Sequence, residues 1–134
     1  MTNESQPIIY PVLSYNDAQA AIDWLEKAFG FRTVMNVPGG DGSVAHAELA
    51  AGTAVIMLGS SKREFGWVSP QDLPAVNQTL YVAVDDVDAH FERAKAAGAK
   101  ITRELNDTEY GSREYGAKDL EGHHWSFGTY RPAV

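Results

Sequence analysis

The chain has 134 residues, no cysteine and a formal net charge of −7. That length suits one compact domain, or two small modules that share a core. The missing cysteine excludes disulfides and thiolate chemistry, the acidic balance argues against a nucleic-acid surface, and no segment reaches the roughly 18 apolar residues of a membrane span. The start, Met1-Thr2-Asn3-Glu4-Ser5-Gln6-Pro7, lacks the basic and apolar regions of a signal peptide. The expected location is therefore the cytoplasm, with neither membrane nor nucleic acid as a partner.

Residues 8–15 read as a first strand, with an edge or bulge at Pro11, which has no N–H to donate. Asp17 is suited to cap a helix. Ala18, Ala21, Ile22, Leu25 and Phe29 then recur on one helical face, and Gly30 fits the left-handed position that ends it. Residues 31–37 read as a strand, and Pro38-Gly39-Gly40-Asp41-Gly42 as a turn. Residues 43–50 and 53–58 form a hairpin around Ala51-Gly52. Residues 60–78 have no clear period and read as a linker. They carry Phe65 and Trp67, suited either to a lid over a site or to simple anchoring.

The pattern then repeats. Residues 79–84 read as a strand, and Asp86 caps a helix whose buried stripe is Val87, Phe91 and Ala94 and which stops at Gly98. Residues 99–105 are a strand, 106–109 a turn, and 113–118 with 123–129 a last hairpin around Leu120-Glu121-Gly122. The whole is an α+β chain that spells β-α-β-β-β twice, and a repeat on this scale implies two copies of one supersecondary unit. The expected organisation is one domain over residues 1–134, with a first module at 8–59, a linker at 60–78 and a second module at 79–130.

Strand residues alternate between faces. The face toward the helices is expected to hold Ala45, Ala47, Leu49, Ala54, Ile56, Leu58, Leu80, Val82, Val84, His123, Trp125 and Phe127. The opposite face then mixes apolar, aromatic and polar groups: Tyr10, Val12, Ser14, His46, Glu48, Val55, Met57, Thr79, Tyr81, Glu114, Gly116, His124 and Ser126. Such a mixture suits a face curled around a ligand better than one turned to bulk water. His46 and Glu48 share that face, so the carboxylate can orient the imidazole. His123 and His124 are neighbours and point to opposite sides. His90 falls beside the buried stripe of its helix, where packing is its expected role. Arg113 is expected in an internal salt bridge, and Trp24 at a module edge or subunit contact.

Several segments in this order resemble the vicinal oxygen chelate superfamily, which includes glyoxalase I, extradiol dioxygenases, and fosfomycin- and bleomycin-resistance proteins. The carriers are Tyr15-Asn16-Asp17 leading into Trp24-Leu25 and Phe29-Gly30-Phe31, His46-Ala47-Glu48-Leu49, Val84-Asp85-Asp86-Val87-Asp88-Ala89, Ala96-Ala97-Gly98-Ala99, and Asp119-Leu120-Glu121-Gly122-His123-His124-Trp125. The resemblance implies paired βαβββ modules in a U-shaped, partly closed mixed sheet with helices outside. It also implies a homodimer, sometimes with modules exchanged between chains. In the enzymes of the family a divalent metal sits in the cleft, held by His or Glu. Carried over position by position, those ligands fall on Tyr10, Met57 (or Ile56), Thr79 and Ser126. Neutral hydroxyls and a thioether do not replace imidazole and carboxylate.

The sequence therefore predicts a protein that binds a small organic molecule without a metal or other cofactor, a drug or toxic metabolite sequestered by a dimer. The ligand-binding set is Tyr10, His46, Glu48, Met57, Thr79, Tyr81, Glu114, His124 and Ser126. No catalytic residue is assigned. The alternative is a metal-dependent glyoxalase-like lyase or isomerase with a rearranged site built from His46, Glu48 and His124. A third class is a bare dimerisation or regulatory module.

Overall fold

The structure is a computed structural model that describes residues 6–134. In chain order it runs β1 (Val12–Tyr15), α1 (Ala18–Phe29), β2 (Arg32–Pro38), β3 (Val44–Ala51), β4 (Ala54–Ser60), β5 (Thr79–Ala83), α2 (Val87–Ala96), β6 (Lys100–Asp107), β7 (Arg113–Lys118) and β8 (His124–Gly128). The strands make two mixed four-stranded sheets of matching order, β1-β4-β3-β2 and β5-β8-β7-β6. In each, the first strand pairs parallel to the last and the other pairs are antiparallel. This is the α+β fold of paired βαβββ modules.

The helices begin and end for local reasons. Asp17 Oδ1 accepts from Ala20 N, and Asp86 Oδ1 from Ala89 N, each at 3.1 Å. Gly30 closes α1 at φ +74°, a left-handed conformation that costs glycine nothing. Arg93 of α2 reaches over this end, with Nε on Lys27 O at 2.8 Å and Nη2 on Glu26 O at 2.9 Å. It thereby satisfies the Lys27 carbonyl, which the last turn leaves without a partner, and adds a second donor to Glu26 O, which already accepts from Gly30 N at 3.1 Å. A Cβ added at Gly30 would stand 2.9 Å from Arg93 Nη1, so the glycine also makes room for this clasp.

Both sheets turn an apolar face to one shared core. Leu49, Leu58, Ile22, Leu25, Phe29 and Phe31 from the first module join Phe91, Tyr115, Trp125 and Phe127 from the second. Phe29 is the hub, with ring centroids 4.7 Å from Phe127, 5.6 Å from Trp125 and 5.0 Å from Trp24. Burying such rings is worth about 1.5–3 kcal/mol each. The helices lie on the core side of their sheets and meet one another there. The open face of each sheet lies on the far side, on the outside of the protomer. Among the described residues no helix is long and apolar enough to cross a membrane.

Four expectations need correction. The first strand is Val12–Tyr15, not residues 8–15. Pro11 gives the ladder only its carbonyl, which accepts from Met57 N at 2.9 Å, and the ladder stops there, with Ile8 and Ile9 88% and 84% exposed. Ala45 is exposed and Val44 is buried in its place, because Val37 pairs with His46 while Pro38 pairs with Val44, which loops Ala45 out as a bulge. Ala54 is exposed at the mouth of its hairpin rather than packed on the core. The last strand opens at His124, since His123 still belongs to the turn, where its N–H is held by Asp119.

That turn ties the modules together. Asp119 Oδ1 accepts from the backbone N–H groups of Glu121, Gly122 and His123, each at 3.1 Å. Its Oδ2 accepts from Tyr15 Oη at 2.5 Å and from Trp125 Nε1 at 3.0 Å. Glu121 accepts from the N–H groups of Asn16 and Asp17 at 2.6 and 2.7 Å, just before α1, and from Ser69 Oγ in the linker at 2.6 Å. Both carboxylates are buried. Burial and the adjacent Asp119 carboxylate push the Tyr15 hydroxyl well above its usual pKa, so it remains a donor.

Candidate functional site

The open face of the second sheet carries a hollow of about 650 Å³, within the size range of small-molecule sites. Thr79 and Tyr81 come from β5, Glu114 from β7 and Ser126 from β8. The register explains why they meet: Tyr81 pairs with Ser126 and Thr79 with His124, while Glu114 sits opposite Gly128. A Cβ at Gly128 would lie 2.6 Å from Glu114 Cγ and 2.8 Å from Tyr81 Oη. The glycine thus leaves the space that both side chains use.

Sequence reasoning missed Arg103, Tyr110 and Tyr130, which also line the hollow. Arg103 projects from an irregular stretch of β6, where the ladder shifts register on both sides of it. Tyr110 stands in the β6–β7 turn and Tyr130 in the C-terminal tail, both beyond the reach of strand alternation. Their rings meet edge to face at 5.9 Å. Tyr81 donates its hydroxyl proton to Tyr130 O at 2.7 Å, and Tyr130 N donates to Ser112 Oγ at 3.1 Å, so the tail is pinned beside the hollow. The one usable signal was the density of tyrosine at 110, 115 and 130.

Glu114 is 4% exposed. Tyr110 Oη lies 3.0 and 2.9 Å from its two oxygens, and Arg103 Nη2 lies 3.3 Å from Oε1. The bond to Glu114 raises the Tyr110 pKa, with some desolvation added. Burial raises that of Tyr81. Both phenols are therefore neutral donors at physiological pH.

The remaining expected residues lie elsewhere. His46, Glu48 and Met57 share the open face of the first sheet, with Glu48 opposite Met57. His46 Nε2 is 2.8 Å from Glu48 Oε2. A carboxylate only accepts, so Nε2 carries the proton. Val37 and Met35 pair with His46 and Glu48, and together with Val12 they leave this face apolar and exposed. His124 lines a separate groove of about 530 Å³ between the β1 edge, the linker and β5, next to Trp67 and Leu73. Tyr10 is not on a strand, and its hydroxyl donates to Pro7 O at 2.7 Å. One protomer thus gathers Thr79, Tyr81, Glu114 and Ser126 and keeps His46, Glu48 and Met57 apart from them.

Other residues singled out from sequence fall as follows. His90 is packed, with Nε2 donating to Phe29 O at 3.1 Å and Nδ1 accepting from Tyr115 Oη at 2.6 Å. Arg113 holds Asp88 and Asp107 at 2.7 and 3.0 Å. Trp24 Nε1 donates to Ala97 O, across the module boundary. Phe65 and Trp67 touch with tilted rings, centroids 5.5 Å apart, and remain exposed.

The positions that would hold the family's metal do not fit a divalent ion. Tyr10, Met57, Thr79 and Ser126 offer no imidazole and no carboxylate. Among the described residues, no three of His, Asp and Glu come together as an ion would need.

Two βαβββ units back to back, each with a helix behind and an open sheet face in front, define the glyoxalase-like class of cleft proteins. Residues 8–127 match the Glyoxalase/Bleomycin resistance protein/Dioxygenase superfamily, and the chain belongs to it. It is similar to an uncharacterized protein of Mycobacterium tuberculosis, 36% identical over 92% of this chain and 74% of the relative. Among solved structures it resembles TioX from Micromonospora sp. ML1, 35% identical over 92% of this chain and 99% of that one, with a TM-score of 0.72. It also resembles a glyoxalase I mutant of Zea mays, 21% identical over 96% of this chain and 47% of that one, with a TM-score of 0.74. The fosfomycin resistance protein FosX of Mesorhizobium loti is 16% identical over 98% and 94% of the two chains, with a TM-score of 0.68. The last two likenesses speak for the fold alone.

Proposed function

We propose that this protein binds a small organic molecule without a resident metal, in clefts completed by a second copy of the chain, and that it serves to sequester a drug or toxic metabolite. One observation carries the reading. A drug-sized hollow gathers tyrosines, hydroxyls and one buried carboxylate, and the two positions in it that match the family's metal ligands are the alcohols Thr79 and Ser126.

The arrangement of the open faces supports the second copy. The first sheet offers His46, Glu48 and Met57 within an exposed apolar surface that includes Val12, 67% exposed, and Met35. Set over the hollow of another protomer, that surface would lose its contact with water and would bring the rest of the expected ligand set, apart from Tyr10 and His124, to the same cavity. A charge at Met35 would then oppose assembly. Met35→Asp is expected to shift the protein from dimer to monomer in sedimentation velocity, and a wild-type protein that sediments as a monomer at high concentration would reject the two-copy cleft.

Metal analysis tests the chemistry. Protein purified without chelator is expected to carry no stoichiometric zinc, nickel, manganese or iron. One ion per chain, lost in His46→Ala, would replace this reading with a metal-dependent lyase or isomerase. Thermal shift against cationic antibiotics and α-keto or thioester metabolites tests binding, because a ligand selective for the native state raises stability. No shift from any of them at saturation would favour a bare association module.

A further inference from the structure

Glu114 is a buried carboxylate whose demand for donors the protein only partly meets. An ionised carboxylate has about four acceptor sites, and burying it is costly unless those sites are filled. Tyr110 brings one proton, shared between two oxygens at 3.0 and 2.9 Å. Arg103 brings a second contact to Oε1 alone, at 3.3 Å, from a side chain that is itself 46% exposed. No backbone N–H bonds to either oxygen among the described residues. Asp119, by contrast, receives five donors. The seat is nonetheless built: Gly128 removes the Cβ that would collide with Glu114. A carboxylate merely serving to hold Arg103 would not need a buried position cleared for it in the neighbouring strand.

The surroundings define what would complete it. Tyr81, Tyr110 and Tyr130 present three ring systems around the hollow, each between 37% and 64% exposed. Half-open aromatic walls suit a flat π-system, which gains both stacking and desolvation there. A cation over such rings gains further.

Resting on the reading of this hollow as a small-molecule site, we propose that Glu114 makes it selective for flat aromatic ligands that carry a cationic N–H donor. The ligand's ring lies among Tyr81, Tyr110 and Tyr130, and its N–H points to Glu114 Oε2, the oxygen that Arg103 does not contact. Arg103 opposes the incoming charge and so moderates the preference.

Three planar probes of similar ring area separate charge from shape: cationic 9-aminoacridine, neutral acridine and anionic acridine-9-carboxylate, titrated by calorimetry at mildly alkaline pH. The wild type is expected to bind the cation at least about 10-fold more tightly than the neutral ring, the effect of one charge-assisted hydrogen bond, and the anion most weakly. Glu114→Gln keeps an acceptor for Tyr110. It is expected to retain acridine binding and to bring cation and neutral ring within about 3-fold of each other, again the scale of a neutral bond. Arg103→Gln leaves the carboxylate in place and is expected to increase the preference for the cation, which keeps the proposal testable should Glu114→Gln fail to fold. Equal binding of the three probes, or a cation preference untouched by both substitutions, would overturn the role of Glu114 and leave the hollow as a binding site. Failure of all three probes to bind would instead overturn the small-molecule reading on which it rests, and this proposal with it.

Discussion

Asp119→Asn changes one atom and removes a charge, which makes it the sharpest probe of the junction between the modules. In the wild type, Oδ1 takes three backbone protons and Oδ2 takes those of Tyr15 and Trp125. Asparagine keeps a single acceptor oxygen. If that oxygen faces the backbone, the amide N–H₂ confronts two donors. The Tyr15 hydroxyl can turn and accept, but the indole N–H of Trp125 is left buried without a partner. That orphan costs about 1–3 kcal/mol, and the loss of charge assistance on the remaining bonds adds about 1 kcal/mol. The expected loss is about 3 kcal/mol, a large share of the roughly 5–15 kcal/mol that holds a domain together. For a chain of 134 residues this corresponds to a fall in Tm of roughly 10–15 °C. Thermal denaturation followed by circular dichroism at fixed protein concentration measures it. Tyr15→Phe removes one donor and leaves the other four, so a smaller fall, about 1–2 kcal/mol, is expected. A Tm for Asp119→Asn within about 2 °C of wild type would show that the turn is not what joins the modules.

His90 makes stability depend on pH. Burial lowers its pKa below the ordinary 6.5, and both ring nitrogens are committed in the neutral form. The unfolded chain therefore takes up a proton before the native state does. Stability from this group is complete above about pH 6.5 and falls as the pH drops through the native pKa. Denaturant titrations should show wild type losing its advantage over His90→Asn below that point; parallel profiles would refute the assignment. At the other end of the clasp, Arg93→Ala removes two bonds to the last carbonyls of α1 and should cost about 1 kcal/mol. Arg93→Lys, a point charge that cannot span both carbonyls, should recover less than half of that. Full recovery by lysine would mean that charge near the helix end, rather than the forked contact, is what matters.

The parts of this molecule that could be read from sequence are those governed by short-range rules. Asp17, Gly30 and Asp86 announce helix boundaries through their own side-chain and backbone chemistry. The stripe from Ala18 to Phe29 and the alternation through Trp125 and Phe127 are local periodicities, and the buried residues follow them. The misses have equally local causes. Parity carried Ala45 inward because nothing in the segment Ser43–Ala50 signals a bulge, which is a property of the pairing with Val37 and Pro38. Tyr10 was placed on a strand by its apolar neighbours, although Pro11 ends the ladder. Thr79, Tyr81, Glu114 and Ser126 could be grouped because adjacent strands of one module carry them. Tyr110 and Tyr130 could not, since a turn and a tail have no period to read. Nor could sequence show that His46 and Tyr81 sit on different faces of the protomer. That follows from how the two helices dock, through contacts such as Phe29 with Phe127.

The turn around Asp119 and Glu121 also breaks the equality of the two repeats. The matching turn of the first module is Ala50-Ala51-Gly52-Thr53, with no acid to lend. The second unit thus supplies anchors to the start of α1 and to the linker, and the start of α2 relies on its own Asp86. The second unit's turn lends carboxylates that the first unit's turn does not return, although Trp24 of α1 does bond the end of α2 through Ala97 O. The start of α1 and the linker gain these anchors only once Glu121 has been made, so during synthesis the opening segment waits for the last turn of the second module before it can lock.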